Sequence, residues 1–127
     1  MSNVKSLAEL NATIGTASTA DVTTSATDTT AGRLLKVGDF GVGSAIGTPS
    51  VSDANTAIVP GFYQGSGASG TNFAPNGQYG VLLVITRYST SVYQTNTYTN
   101  KQWFRYSGDT GATWSAWEEI YHTGNTG

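Results

Sequence analysis

Apolar positions beyond residue 58 follow the patterns of β-strands. Residues 81–85 are five consecutive aliphatic side chains. In 92–98, Tyr and Thr side chains alternate with the amides of Gln and Asn, and in 102–106 Trp103 and Arg105 alternate with Phe104 and Tyr106. Short runs of this kind, bounded by residues that favour turns, are typical of strands. The predicted strands are 58–64, 79–88, 92–98, 102–106 and 114–121, with glycine- and asparagine-rich turns between them. We therefore expect a mainly β fold, with a small antiparallel β-rich unit in this part of the chain.

The first 57 residues carry a different pattern. Four apolar residues are spaced by three, three and four positions, which places them on one stripe of a short helix: Val4, Leu7, Leu10 and Ile14. A helix this short is marginally stable in water, so the stripe implies a partner helix. Residues 16–30 are rich in Thr, Ser and Ala, and their composition suits a disordered linker as well as an ordered part of the same segment. Residues 32–43 are too apolar for a free linker and too few for a separate sheet.

The aromatic residues divide the chain near residue 58. Beyond it lie all three Trp, all seven Tyr and three of the four Phe, whereas only Phe40 lies before it. Because aromatic side chains bury the largest areas in a small core, the C-terminal part can build a core and the N-terminal part needs partner chains. We predict an oligomerisation segment over 1–57, with a short helix and an extended, intertwined shaft. A β-rich domain follows over 58–122, and a tail or junction over 123–127.

Composition and charge exclude several classes of function. The net charge is −2 and the pI is about 5.0, without the clustered Lys and Arg that binding to a nucleic-acid backbone requires. The longest apolar run is too short to span a bilayer, and the N-terminus lacks the apolar block of a secretory signal. The absence of cysteine excludes disulfides and thiolate metal sites. We expect synthesis in the cytoplasm, no nucleic-acid partner and no membrane insertion.

Four motifs follow one another beyond residue 58: Pro60-Gly61-Phe62-Tyr63, Asn72 to Gly77 followed by the strand from Gly80 to Val84, Trp103-Phe104-Arg105-Tyr106, and Gly111 to Trp117. In this order they resemble the knob domain of phage and R-type pyocin tail fibres. Upstream, residues 28–41 are similar to a segment that often precedes the knob, and residues 120–125 resemble the junction after which such fibres continue. The resemblance covers residues 21–125, and its most specific feature is the order of the motifs.

The resemblance implies a virion tail fibre protein, made in the host cytoplasm and extracellular after lysis. Its expected role is a structural and adhesion module that contacts bacterial surface polysaccharide, or spaces a tip toward it. Expected partners are two further copies in a homotrimer, the polysaccharide and other tail proteins. Two alternatives stay open: a fragment of a capsule or lipopolysaccharide depolymerase, and a purely structural tail adaptor without a ligand.

The candidate glycan contacts are Tyr88, Tyr93, Tyr98 and Asp109. An exposed tyrosine offers a ring face and a hydroxyl, and these three lie on or beside segments rich in Thr, Asn and Gln. Asp109 lies in a glycine-rich turn, where its side chain also suits bonds to nearby backbone. Trp114 and Trp117 also suit sugar stacking, but in the family motif their partnership with Arg105 favours core packing of a cation over an indole.

Few groups beyond residue 58 could react with a substrate. The carboxylates are Asp109, Glu118 and Glu119, and the only histidine is His122. Glycan cleavage usually needs two carboxylates facing one bond, and neighbouring residues on a strand point to opposite faces. A lone histidine is more often an exposed or capping residue than a metal ligand. We therefore predict that the protein is not an enzyme and holds no metal or cofactor.

Overall fold

The computed structural model describes residues 19–124, which form one six-stranded mixed sheet. The strands follow chain order across the sheet: β1 (Ser50–Val51), β2 (Gly61–Gly65), β3 (Val81–Arg87), β4 (Ser91–Tyr98), β5 (Lys101–Ser107) and β6 (Glu118–Ile120). The pair β1–β2 is parallel and the other four pairs are antiparallel. The predicted mainly β fold is confirmed. The helix predicted near the N-terminus lies outside the described residues.

Strand boundaries differ from the predictions at both ends of the sheet. The predicted strand 58–64 begins only at Gly61, because Pro60 has no N–H for a ladder and the Val59 carbonyl accepts from the Tyr63 hydroxyl at 2.8 Å. The predicted strand 114–121 contains a strand only over Glu118–Ile120. Strand β1 was not predicted, since two residues give no periodic signal.

The sheet has two unlike faces. The inner face is covered by the irregular segments between the strands, and its buried residues are Tyr63, Leu82, Val84, Val92, Gln94, Asn96, Trp103, Arg105 and Ser107. Residues that precede residue 58 pack on this face as well: Ala54 and Ala57 belong to the buried cluster, and Phe40 packs against it. The segment 50–57 therefore shares the core of the sheet.

Two amides occupy the centre of the inner face. The Gln94 side chain donates to the carbonyls of Ala54 and Ala57 at 2.7 and 2.8 Å. The Asn96 side chain accepts from the Ala74 N–H at 3.1 Å and donates to two further carbonyls. The covering loops satisfy only some of their backbone groups by bonds within the loop, such as the Ala57 N–H to the Ala54 carbonyl at 3.2 Å, so the remaining buried groups need these side-chain partners.

Two aspartates organise the loops that precede β1. Asp28 accepts from the N–H groups of Thr24 and Thr30, both at 2.9 Å, and pairs with Arg33. Asp39 is buried and accepts from the Lys36 N–H at 2.7 Å and the Thr23 hydroxyl at 2.5 Å. These hydrogen bonds, led by the Thr24 and the Lys36 N–H respectively, hold the pKa of each carboxyl below its usual value.

Candidate functional site

The face of the sheet opposite the core carries large apolar side chains in contact with solvent. We define the open face by Phe62, Val81, Leu83, Ile85, Tyr93, Phe104, Tyr106 and Ile120. Seven of these residues are between 39% and 54% exposed, and Leu83 is half-buried. A face this apolar is unusual for a surface that meets only water, because soluble proteins rarely expose large contiguous apolar patches.

Strand register places these side chains in rows. One row runs from Phe62 through Leu83 and Thr95 to Phe104. A second row contains Ile85, Tyr93 and Tyr106, and the two tyrosine rings stack with centroids 5.7 Å apart at 23°. These two rows form an aromatic and aliphatic surface that is interrupted only by Thr95. A third row mixes apolar and polar side chains: Gln64, Val81, Thr97, Gln102 and Ile120.

A groove of about 610 Å³ borders the open face next to β2 and β3. Its outer wall carries Leu35, Val37 and Val42, which are 69%, 87% and 59% exposed. Gly41 lets this wall lie close to the sheet, since it has a φ of +80° and a Cβ there would lie 2.2 Å from the Phe62 carbonyl oxygen. The apolar surface thus continues from the sheet onto the loop.

The turn between β3 and β4 brings a cation and an aromatic ring to one end of the sheet. Tyr88 is 72% exposed and adopts a φ of +60°, and the Arg87 guanidinium lies 5.0 Å from its ring centroid. The loop 108–113 lies beside this turn, because the Thr110 N–H donates to the Thr90 carbonyl at 2.9 Å. Tyr88 and the Asp109 loop are therefore neighbours at one end.

Asp109 organises its own loop. Its carboxylate accepts from the Thr113 N–H at 2.8 Å, the Thr113 hydroxyl at 2.6 Å and the Ser107 hydroxyl at 2.7 Å. These bonds, led by the Thr113 hydroxyl, lower the pKa of Asp109 to about 2. The carboxylate is exposed and ionised at neutral pH, so it can accept hydrogen bonds from a ligand but cannot serve as a general acid.

The four predicted glycan contacts do not form one cluster. Tyr93 lies on the open face, while Tyr88 and Asp109 lie at the end beside the β3–β4 turn. Tyr98 lies at the other end of β4, where its register partner is Lys101 and its ring lies 6.1 Å from that of Tyr79. The sequence analysis did not identify Arg87 beside Tyr88, or Tyr106 beside Tyr93 on the open face. The alternation within 102–106 already placed Phe104 and Tyr106 on one side of their strand.

The predicted cation and indole contact is confirmed on the inner face. The Arg105 guanidinium lies 4.2 Å from the Trp114 ring centroid and 4.4 Å from that of Trp117. Its Nε donates to the Gln94 side chain at 2.9 Å, and the Trp117 indole donates to the Asn72 carbonyl at 3.0 Å. Burial lowers the pKa of Arg105 to about 10, so the cation persists at neutral pH between two ring faces.

The remaining candidate reactive groups are separated. Glu118 pairs in register with Phe104 on the open face, whereas Glu119 pairs with Trp103 on the inner side. The His122 ring contacts the Asn100 carbonyl at 2.6 Å through Nε2 and accepts from the Gly124 N–H at 3.0 Å, which ties the chain beyond β6 to the β4–β5 turn. Among residues 19–124, no group of three or more His, Asp or Glu side chains is arranged to hold a metal ion.

The helices within 19–124 are all too short to cross a membrane. Comparison of the chain with protein families, with curated proteins and with solved structures gave no match.

Proposed function

We propose that the chain is a non-enzymatic tail fibre module of a phage or of a phage-derived bacteriocin. In this proposal the part of residues 1–57 that precedes β1 forms an intertwined shaft in a homotrimer. The sheet, with segment 50–57 in its core, forms a knob that contacts bacterial surface polysaccharide or spaces a tip toward it. The particle reaches the cell surface as part of a virion tail, after synthesis in the host cytoplasm and release by lysis, and other tail proteins are its further partners.

The observation that carries the adhesive role is the exposed end of the sheet beside the β3–β4 turn. Tyr88 presents a ring face and a hydroxyl there, Arg87 adds fixed donors, and the ionised Asp109 adds acceptors. Sugar rings are recognised by such a combination of an aromatic face with a few fixed polar groups. The short turn between β3 and β4 attaches Arg87 and Tyr88 directly to the sheet.

The placement of the carboxylates supports a role without catalysis. Glu118 and Glu119 belong to opposite faces, and Asp109 is held ionised by its own loop. Hydrolysis of a glycosidic bond usually needs one protonated and one ionised carboxyl across the same bond. The three carboxylates beyond residue 58 therefore offer no such pair, which favours adhesion over the depolymerase alternative.

A glycan array tests the adhesive role. Because single sugar contacts are weak, the full chain displayed in many copies on a bead should bind a subset of host glycans more strongly than the free chain. Tyr88→Asn removes the ring and suits the positive φ, so the turn should persist while binding falls. Tyr121→Asn, at an equally exposed tyrosine, is the matched control and should bind like the parent.

Two outcomes would replace the proposal. If neither format binds any host glycan, the adaptor alternative is favoured. If host polysaccharide gains reducing ends on incubation, and Glu118→Gln or Asp109→Asn abolishes that gain, the protein is a depolymerase.

A further inference from the structure

We infer that the open face is the surface on which a second copy of this chain packs. This inference goes beyond the proposed adhesive role, because it concerns the open face of the sheet. It does not depend on which ligand binds at the end beside the β3–β4 turn. Its starting point is the row of stacked and in-register apolar side chains from Phe62 to Phe104 and from Ile85 to Tyr106.

The area of this surface matches what a stable interface needs. A fully exposed large side chain presents about 150–250 Å², so the exposed fractions on the open face amount to roughly 700 Å². With the groove wall of Leu35, Val37 and Val42 the patch reaches roughly 1,000 Å². The largest patch on a typical monomer is about 300–600 Å², whereas a stable pair buries about 800 Å² on each partner.

The chemistry of the surface favours a copy of the same chain over a sugar or a charged partner. The strands contribute only two charged residues to this side, Arg87 at the β3–β4 end and Glu118 on the edge strand β6. Interfaces between permanently associated copies are apolar at the centre and polar at the rim. A polysaccharide site needs several kinds of polar group among the rings, and the centre of this face offers only the hydroxyls of Thr95, Tyr93 and Tyr106. The amides on this side, those of Gln64 and Gln102, lie in the row toward the β4–β5 turn.

The short edge strands of the sheet disfavour edge-to-edge pairing of two copies, which leaves the open face as the surface for association. Strand β1 has two residues and β6 has three, so neither edge offers a ladder long enough for edge-to-edge pairing. Three open faces that point toward the axis of the proposed homotrimer bury their apolar side chains against one another in a closed assembly. Tyr93 then lies inside the assembly, while Tyr88 and Asp109 stay accessible at its rim.

Single cysteines in the full chain test the inference, since the natural chain has none. Thr95→Cys places a thiol at the centre of the open face, and Ala112→Cys places one in the exposed loop 108–113 as a control. We expect a particle mass above 13.2 kDa by light scattering. The thiol at residue 95 should react with a maleimide roughly tenfold more slowly than the control. This ratio is expected if about nine copies in ten are assembled and only the free copies react.

A matched pair of substitutions then tests the contact itself. Phe104→Ser on the Thr95→Cys background should restore fast modification and reduce the particle mass. Tyr121→Ser, which removes an exposed tyrosine beyond the end of β6, should do neither. The circular dichroism spectrum of Phe104→Ser must match that of the parent, which shows that the variant is folded. If the spectra differ, Phe62→Ser replaces it as a variant on the same row.

Three results would overturn the inference. A multimer whose thiol at residue 95 reacts as fast as the control is held together elsewhere, which leaves the proposed trimeric shaft intact and refutes the face. A monodisperse monomer with a protected thiol shows that another segment of the same chain covers the face. A monomer with a reactive thiol shows that the face is free.

Discussion

Replacement of Asn96 by leucine should unfold much of the loop cover on the inner face. The Asn96 side chain is fully buried and bonds three backbone groups: it accepts from the Ala74 N–H and donates to the carbonyls of Gly77 and Val81. Leucine has the same branched shape but can make none of these bonds. The Ala74 N–H then loses its acceptor, whereas the Gly77 carbonyl keeps the bond from the Gly80 N–H at 3.0 Å. Each buried backbone group that loses its partner costs about 1–3 kcal/mol.

The unsatisfied Ala74 N–H costs about 1–3 kcal/mol, and each of the two carbonyls that lose a hydrogen bond costs about 0.5–1.5 kcal/mol. The expected loss of unfolding free energy is therefore about 2–6 kcal/mol, reduced by the roughly 1–2 kcal/mol that the extra apolar burial contributes. Small domains are stable by about 5–15 kcal/mol, so the variant should be marginal at 25 °C. Urea denaturation followed by tryptophan fluorescence measures this, because all three tryptophans lie in or against the sheet. The protein concentration must be equal for all variants, since association adds to apparent stability.

Two companion variants make the result specific. Asn100→Leu, in the exposed β4–β5 turn, should change stability by no more than about 0.5 kcal/mol. Asn96→Asp keeps the acceptor, and a protonated carboxyl also restores one donor. Its pKa should be raised by burial, so this variant should be more stable at pH 4 than at pH 7. If Asn96→Leu unfolds at the same urea concentration as the parent, the amide does not hold the loops.

Three further predictions concern the inner face and the acidic loops. Trp117→Ala should cost about 3 kcal/mol in urea denaturation, because it removes one ring from the Arg105 cation and a hydrogen bond to Asn72; Tyr121→Ala should cost less than about 0.5 kcal/mol, and equal costs would show that the ring is not structural. Gly77→Ala should lower the melting temperature, since its Cβ would lie 1.8 Å from Asn96 Oδ1; the matched Gly108→Ala, whose Cβ meets only the Tyr106 ring at 3.8 Å, should be nearly neutral. The lowered pKa values of Asp28, Asp39 and Asp109 give stability that is fully present above pH 4 and is lost as the pH falls through each lowered pKa, which for Asp109 is about 2. Asp109→Asn should therefore flatten the acid limb of a thermal-melt series, and an unchanged limb would contradict the role of Asp109.

The sequence alone was sufficient for the local elements. Consecutive aliphatic residues over 81–85 and alternation over 92–98 and 102–106 specify strands, because side chains alternate faces on an extended backbone. The contact of Arg105 with Trp114 and Trp117 was predicted by resemblance to a known motif and confirmed. The short β1 gave no pattern long enough to detect.

Only the tertiary structure decided which face of each strand is buried. In β4 the alternation of Tyr93, Thr95 and Thr97 with Gln94 and Asn96 favours burial of the tyrosine side by hydrophobicity alone, yet the amides are buried and Tyr93 is exposed. The reason is that loops, rather than a helix or a second sheet, cover the inner face, and their backbone groups require polar partners from the sheet. The exposed apolar face has the same cause, because neighbouring residues on a strand point to opposite faces. With Gln94 and Asn96 on the inner face, Tyr93 lies on the outer face.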